Sequence, residues 1–339
     1  MILHRTAWVC ALSTVVLLAC SAPMAEPDAS VALEAGADVR ASDSAVEGDG
    51  DGASSADAAS VVDASDASVG CALCETYGPT MGQGRWRTST LREVSGIVAS
   101  QRHAGVYWVH NDSGDTARIF AVRASGEVLG EYAIDGASAV DWEDIAVAPC
   151  PDGTGSCIVI GDVGDNAMAR TSVDLYRVRE PDVIEMSGNL QATRFRVRYP
   201  SGAMNCEAMV VDRRDGASAL LIEKRDPGAI RLVRVDLTGM GGDRTGEELG
   251  TIPGFGALVT AADMHPCSPT ILVRTYATAW EMRGAPANSL AQIVGAARVE
   301  RTTAAEVQGE AIAYTADGRG YLTTSEGIGT LITGVFCGR

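Results

Sequence analysis

Residues 141–166, DWEDIAVAPCPDGTGSCIVIGDVGDN, read as one β-hairpin with polar chemistry at both ends. The first strand opens on Asp141, Trp142, Glu143 and Asp144, and the second closes on Gly161-Asp162-Val163-Gly164-Asp165-Asn166. Between them Cys150 and Cys157 flank a Pro-Asp-Gly turn, and the apolar runs 145–147 and 158–160 read as buried strands. A fragment of this hairpin recurs along the chain, and counting the recurrences gives the fold.

Ser95-Gly96-Ile97, Glu143-Asp144-Ile145, Glu207-Ala208-Met209, Ala262-Asp263-Met264 and Glu310-Ala311-Ile312 each open an apolar strand, at spacings of 48, 64, 55 and 48 residues. A second strand follows each opening, at 106–112, 158–162, 219–224, 271–276 and 321–326. Third strands read at 118–122, 175–178, 231–235 and 331–336, and fourth strands at 127–134, 194–199 and 247–252. Helical periodicity is nearly absent, with a short weak candidate at 287–297. Four antiparallel strands about every 50 residues is the period of a β-propeller blade. The reading is therefore all-β, a five-bladed propeller. The fifth unit runs out of chain after its third strand, so the strand at 86–91 is expected to supply the fourth and close the ring. Six blades is the alternative if the long second repeat merges two units. A β-sandwich is the other, but it leaves the recurring openings unexplained.

Outside this domain (71–339) the chain reads differently. His4 and Arg5 precede an apolar run at 7–18 that is too short to span a bilayer as a mature helix. Leu17-Leu18-Ala19-Cys20 resembles a bacterial lipobox, which implies a signal peptide over 1–19, lipidation of Cys20 and a lipid anchor in the cell envelope. An ordinary signal peptide or anchor helix is the alternative. Ser21 after the cysteine favours the outer membrane. Residues 21–70 hold eleven acids against Arg40 alone, a net −10 that leaves −17 + 10 − 1 = −8 for 71–339 once Arg5 is counted. Low hydrophobicity with charge of one sign predicts a disordered tether, with a reach of roughly 40 Å. The acidity argues against nucleic acid as a partner.

An extracytoplasmic chain is expected to form disulfides. Cys150–Cys157 is expected across its hairpin. Cys71 and Cys74 are expected to pair with Cys267 and Cys337 in an order left open, with Cys206 free near the opposite face.

The openings are the innermost strands and line the central tunnel. Glu143, Glu207 and Glu310 converge there, with Ser95 in the first repeat and Ala262 in the fourth. Converging carboxylates must hold protons at raised pKa or share a cation. Carboxylates with a hydroxyl, carbonyls and water suit Ca²⁺, so Ser95, Glu143, Glu207 and Glu310 are the metal candidates. The alternative is that each glutamate only ties its strand to neighbouring amides. The second-strand ends should gather His110, Asn111, Asp112, Asp115, Asp162, Asp165, Asn166, Glu223, Lys224, Arg274, Tyr276 and Glu326 at the tunnel mouth, beside Trp142. This is a rim suited to a small molecule or protein ligand, although Asp, Asn and Gly also build plain turns. No G-x-S-x-G elbow, Walker loop or H-E-x-x-H motif occurs.

Glu93-Val94-Ser95-Gly96-Ile97 and Gly309-Glu310-Ala311-Ile312-Ala313 resemble the inner-strand motifs of bacterial phytase-like propellers. The Ser/Glu series resembles that of five-bladed calcium-activated nucleotidases (apyrases). The resemblance implies a tunnel calcium on Ser95, Glu143, Glu207 and Glu310, placed to meet a substrate phosphate. Three functions are thus expected: a ligand- or partner-binding module, a calcium-dependent phosphoester hydrolase, or a sugar-lactone hydrolase. In the phosphoester reading Asp162 or Asp112 orients water while Lys224 and Arg274 hold phosphate.

Overall fold

The computed structural model describes residues 70–338, so Cys20, the signal peptide and the tether lie outside the described residues. Strand β1 (Met81–Arg85) comes first. Blade 1 contains β2 (Val94–Ala99), β3 (Val106–Asn111), β4 (Arg118–Arg123) and β5 (Val128–Asp135). Blade 2 contains β6 (Trp142–Pro149), β7 (Ser156–Asp162) and β8 (Val173–Arg179); β9 (Ser187–Gln191) then leaves it before β10 (Thr193–Arg198) completes it. Blade 3 contains β11 (Cys206–Val211), β12 (Ser218–Glu223) and β13 (Ala229–Asp236), then β14 (Gly242–Thr245), which leaves, and β15 (Glu247–Pro253). Blade 4 contains β16 (Val259–Met264), β17 (Thr270–Thr275), β18 (Ala279–Arg283) and β19 (Arg298–Arg301), with the helix α1 (Leu290–Val294) before the last strand. Blade 5 contains β20 (Gly309–Tyr314), β21 (Gly320–Ser325) and β22 (Leu331–Phe336), and takes β1 as its outer strand. The chain is a five-bladed β-propeller.

Five separate apolar cores fill the five gaps between neighbouring blades. Every blade is therefore covered on both faces, and β2, β11, β16 and β20 are buried at each position. Continuous apolar runs, not alternation, are what such strands require. The helix at 287–297 contracts to five residues, capped by Ser289 and Gln292 in a capping box.

The closing strand is not 86–91 but β1, which pairs antiparallel with β22 through Met81↔Gly334 and Arg85↔Leu331. An outer strand needs no apolar face, so its Met-Gly-Gln-Gly-Arg sequence carries no hydrophobic signal. Trp86 beyond it is buried, donating from Nε1 to Thr324 Oγ1 at 3.2 Å. The long second repeat is not two merged blades. Its surplus is β9, which runs parallel to β5 and gives blade 1 a fifth strand. Likewise β14 runs parallel to β10 and gives blade 2 its fifth.

Cys150–Cys157 closes its hairpin, and the open pairing resolves as Cys71–Cys267 and Cys74–Cys337. Among the described residues Cys206 has no disulfide partner; it is fully buried, and burial pushes its thiol well above the ordinary range.

Candidate functional site: the tunnel mouth

All five inner strands begin with the same defect. Pairing with the second strand slips between Val94 and Gly96, Trp142 and Asp144, Cys206 and Ala208, Val259 and Ala261, and Gly309 and Ala311. The bulged residues are thus Ser95, Glu143, Glu207, Thr260 and Glu310. A bulge re-aims the side chain it carries. The fourth member of the series is therefore Thr260, not Ala262. The recurring openings pair Asp263 with Asp144 in the sequence, but the bulges place Asp263 level with Ala146, two residues deeper.

The two hydroxyls stitch neighbouring blades. Ser95 Oγ donates to the Glu143 carbonyl at 2.7 Å, and Thr260 Oγ1 donates to the Gly309 carbonyl at 2.8 Å. The three glutamates cluster with acids from the rim. Asp112, Asp141 and Glu143 each offer a carboxylate oxygen, all within 4.8 Å of one another. Gly164 packs against them, and a Cβ there would overlap Glu143 Oε1 and Asp141 Oδ2. Glu207 Oε1 lies 2.8 Å from Lys224 Nζ, which also donates to Tyr276 Oη at 2.8 Å. Glu310 is 3% exposed, and its Oε2 has no hydrogen-bond partner among the described residues. Half-exposed Glu326 accepts from Gln308 Nε2 at 3.1 Å.

Burial and mutual repulsion raise this whole group. Asp112 is pushed up to about 7 and Glu310 to about 8, by desolvation first and neighbouring carboxylates after it. Glu143 is driven well above the carboxylate range by burial, then by Glu207, Asp112 and Asp141. Glu207 and Asp141 rise for the same leading reason, opposed by Lys224 and Arg170 respectively. A group held this way gains stability from protons or from a cation.

Other residues expected at the rim have structural partners instead. Asp162 is fully buried and pairs with Arg170 at 2.8 Å while accepting the Asp141 amide at 3.1 Å. Asp165 caps its own turn by accepting the amides of Ala169 and Arg170. Asn166 Oδ1 accepts from Asn205. Asn111 holds the loop before blade 1 by accepting the Arg92 and Glu93 amides, and Asp115 pairs with Arg118.

His110 and Trp142 belong to the core, not the rim. Their rings meet edge to face at 5.6 Å, and burial pushes the imidazole down to about 4. Arg274, too, lies in the interior and not on the rim. It is fully buried across Gly309, where a Cβ would overlap it, and it pairs with Glu306 at 2.7 Å. Glu223 pairs with Arg225. The mouth proper is Asp112, Asp141, Glu143, Glu207, Glu310 and Glu326, with Lys224 and Tyr276. Asp141 carries no site signal in the sequence, because only the bulge and Gly164 bring it beside Glu143.

No protein-family model matches this chain, and no curated protein sequence does. Solved structures show likeness in shape. The PQQ-bound aldose sugar dehydrogenase of Streptomyces coelicolor aligns at a TM-score of 0.44 and 11% identity, covering 76% of this chain and 98% of that one. Raptor of Chaetomium thermophilum aligns at 0.42 and 10% identity, covering 78% of this chain and 30% of that one. The resemblance to phytase-like propellers and apyrases thus has no support from sequence comparison. The five-bladed fold stands on its own strands.

Proposed function

We propose that the tunnel mouth is a Ca²⁺ site at the centre of a ligand- or partner-binding module. The carrying observation is the convergence of Asp112, Asp141 and Glu143 oxygens within 4.8 Å. One feature supports an ion there: Gly164 lets the Asp141 and Glu143 carboxylates approach each other, where a Cβ would overlap both. An all-oxygen donor set, completed by carbonyls and water, matches a hard cation. When bound, the ion would supply positive charge to orient an oxygen-bearing ligand, while the protein residues hold it and exclude bulk water. Lipidation at Cys20 and the acidic tether would then present the propeller at the cell envelope.

The binding reading is preferred to hydrolysis for a specific reason. Of the residues assigned to phosphate and water in a hydrolase, Asp162 is buried against Arg170 and Arg274 is fully buried with its Nη2 on Glu306, its Nε and Nη1 lacking partners among the described residues, which leaves Lys224 and Asp112. Lys224 is itself held by Glu207.

The test is elemental analysis and a thermal melt of the purified chain with Ca²⁺ and with EGTA. One equivalent of calcium and a large fall in melting temperature on chelation are expected, since an ion binding only the folded state at 100 Kd stabilises it by about 2.7 kcal/mol. No bound metal and no shift would reject the site.

A further inference from the structure

The mouth already contains a cation of its own. Lys224 follows β12, and its side chain is only 11% exposed. Its ammonium is shared widely, since it lowers the carboxyls of Glu143, Glu207, Glu310 and Glu326 against the burial that raises them. Its direct contacts are narrower, namely Glu207 Oε1 and Tyr276 Oη, each at 2.8 Å. Beyond them Glu310 keeps its buried Oε2, unpartnered among the described residues. Desolvated carboxylates persist only where positive charge compensates them. Lys224 is placed to supply that charge on the Glu207 side, as the Asp112–Asp141–Glu143 oxygens would receive it from an ion on the other.

We propose that Lys224 is a tethered cation filling a second cation seat, walled by Glu207, Glu310 and Glu326, so that the mouth takes one divalent ion and not two. The first seat rests on the calcium reading above; the second stands on Lys224 and its glutamates alone. The seat accepts an ammonium between a carboxylate and a phenol hydroxyl, with Lys224 Nζ 2.8 Å from both Glu207 Oε1 and Tyr276 Oη. Its external ligands are therefore divalent ions and small primary alkylammonium ions. A lysine in place of a second ion halves the repulsion between the two seats and makes that half of the site independent of metal supply.

The experiment compares the full chain with its Lys224→Ala variant, both stripped of metal. Equilibrium dialysis against Ca²⁺ gives the number of ions bound, and thermal melts are run with methylammonium and with tetramethylammonium as a control too large for the seat. The wild type is expected to bind one equivalent and Lys224→Ala two. Methylammonium, but not tetramethylammonium, should raise the melting temperature of the variant and leave the wild type unmoved. Two equivalents in the wild type overturn the proposal. So does a variant that binds no additional ion and ignores methylammonium. A wild type that binds none, with a variant that responds to methylammonium, removes the calcium reading and keeps the ammonium seat. If Lys224→Ala does not fold, Lys224→Gln takes the same measurements, and the wild-type count alone retains the power to overturn.

Discussion

Asp144 Oδ2 accepts the backbone N–H of Ala262 at 3.0 Å, joining the inner strand of blade 2 to that of blade 4, which is not its neighbour in the ring. The same oxygen accepts the Met209 amide of blade 3 at 2.8 Å. Asp263 repeats the device one step on, accepting the Tyr314 amide of blade 5 and the Arg213 guanidinium, each at 2.8 Å. Two buried aspartates thus connect four blades through the tunnel wall, and Ser95 ties in blade 1 through the Glu143 carbonyl. These links sit directly below the bulges, so they fix where the mouth carboxylates point.

Replacing Asp144 tests the staple. Asp144→Ala strands the Met209 and Ala262 amides in a dry interior, at about 1–3 kcal/mol for each lost partner. Urea unfolding should show a loss of about 2–5 kcal/mol, with Asp144→Asn losing less because one acceptor oxygen remains. A loss under about 1 kcal/mol would mean that packing alone holds the ring.

The pH dependence of stability follows from the mouth. Asp112 near 7 and Glu310 near 8 hold protons in the folded state that the unfolded chain has already released. Their contribution is full below the unfolded carboxyl range, near pH 4, and is lost as pH rises through the folded values. The metal-free chain should therefore melt lower at pH 8 than at pH 6.5. His110 is held near 4 by burial, so it opposes this trend only at the pH 6.5 end, where the unfolded imidazole is still about half protonated. Asp112→Asn with Glu310→Gln should flatten the slope, and so should saturating Ca²⁺. An unchanged slope in the double variant would place the linkage elsewhere.

The blades were legible in the sequence because both faces of each are covered, which forces continuous apolar runs at β2, β6, β11, β16 and β20. The glutamates were legible because they interrupt those runs at a repeated place. The fourth position was not. Thr260 and Ala262 lie on the same side of a strand with period two, and only the bulge at Val259–Ala261 separates them. The closing strand was hidden for the opposite reason, since Met81–Arg85 buries almost nothing. The rim is not separable from plain turns in the sequence. Asp162, Asp165 and Asn111 are the residue types of both ligand sites and turns, and a sequence does not show which amides they accept.

Gly164 offers a test confined to the mouth. A methyl group there would displace the Glu143 and Asp141 carboxylates while leaving the blades intact. Gly164→Ala should weaken Ca²⁺ binding at least tenfold by calorimetry and leave the metal-free melting temperature within about 3 °C of the wild type. Unchanged affinity would show that these two carboxylates are not ligands.

The disulfides should differ in value by the length of chain they close. Cys74–Cys337 spans 263 residues and Cys150–Cys157 spans 7. With Cys71–Cys267 intact, the former closes a circuit of about 73 residues through that bridge, worth about 4 kcal/mol, against about 2 kcal/mol for the latter. The long bridge also holds β1 against β22, beside the Gly78 amide bonded to the Phe336 carbonyl at 2.8 Å. Cys74→Ala with Cys337→Ala should therefore lower the melting temperature more than Cys150→Ala with Cys157→Ala. It should also make the segment around β1 the first site of proteolytic cleavage, since release of that strand exposes the edge of β22. Equal losses for the two pairs, with β1 still protected, would show that strand pairing closes the ring without the bridge.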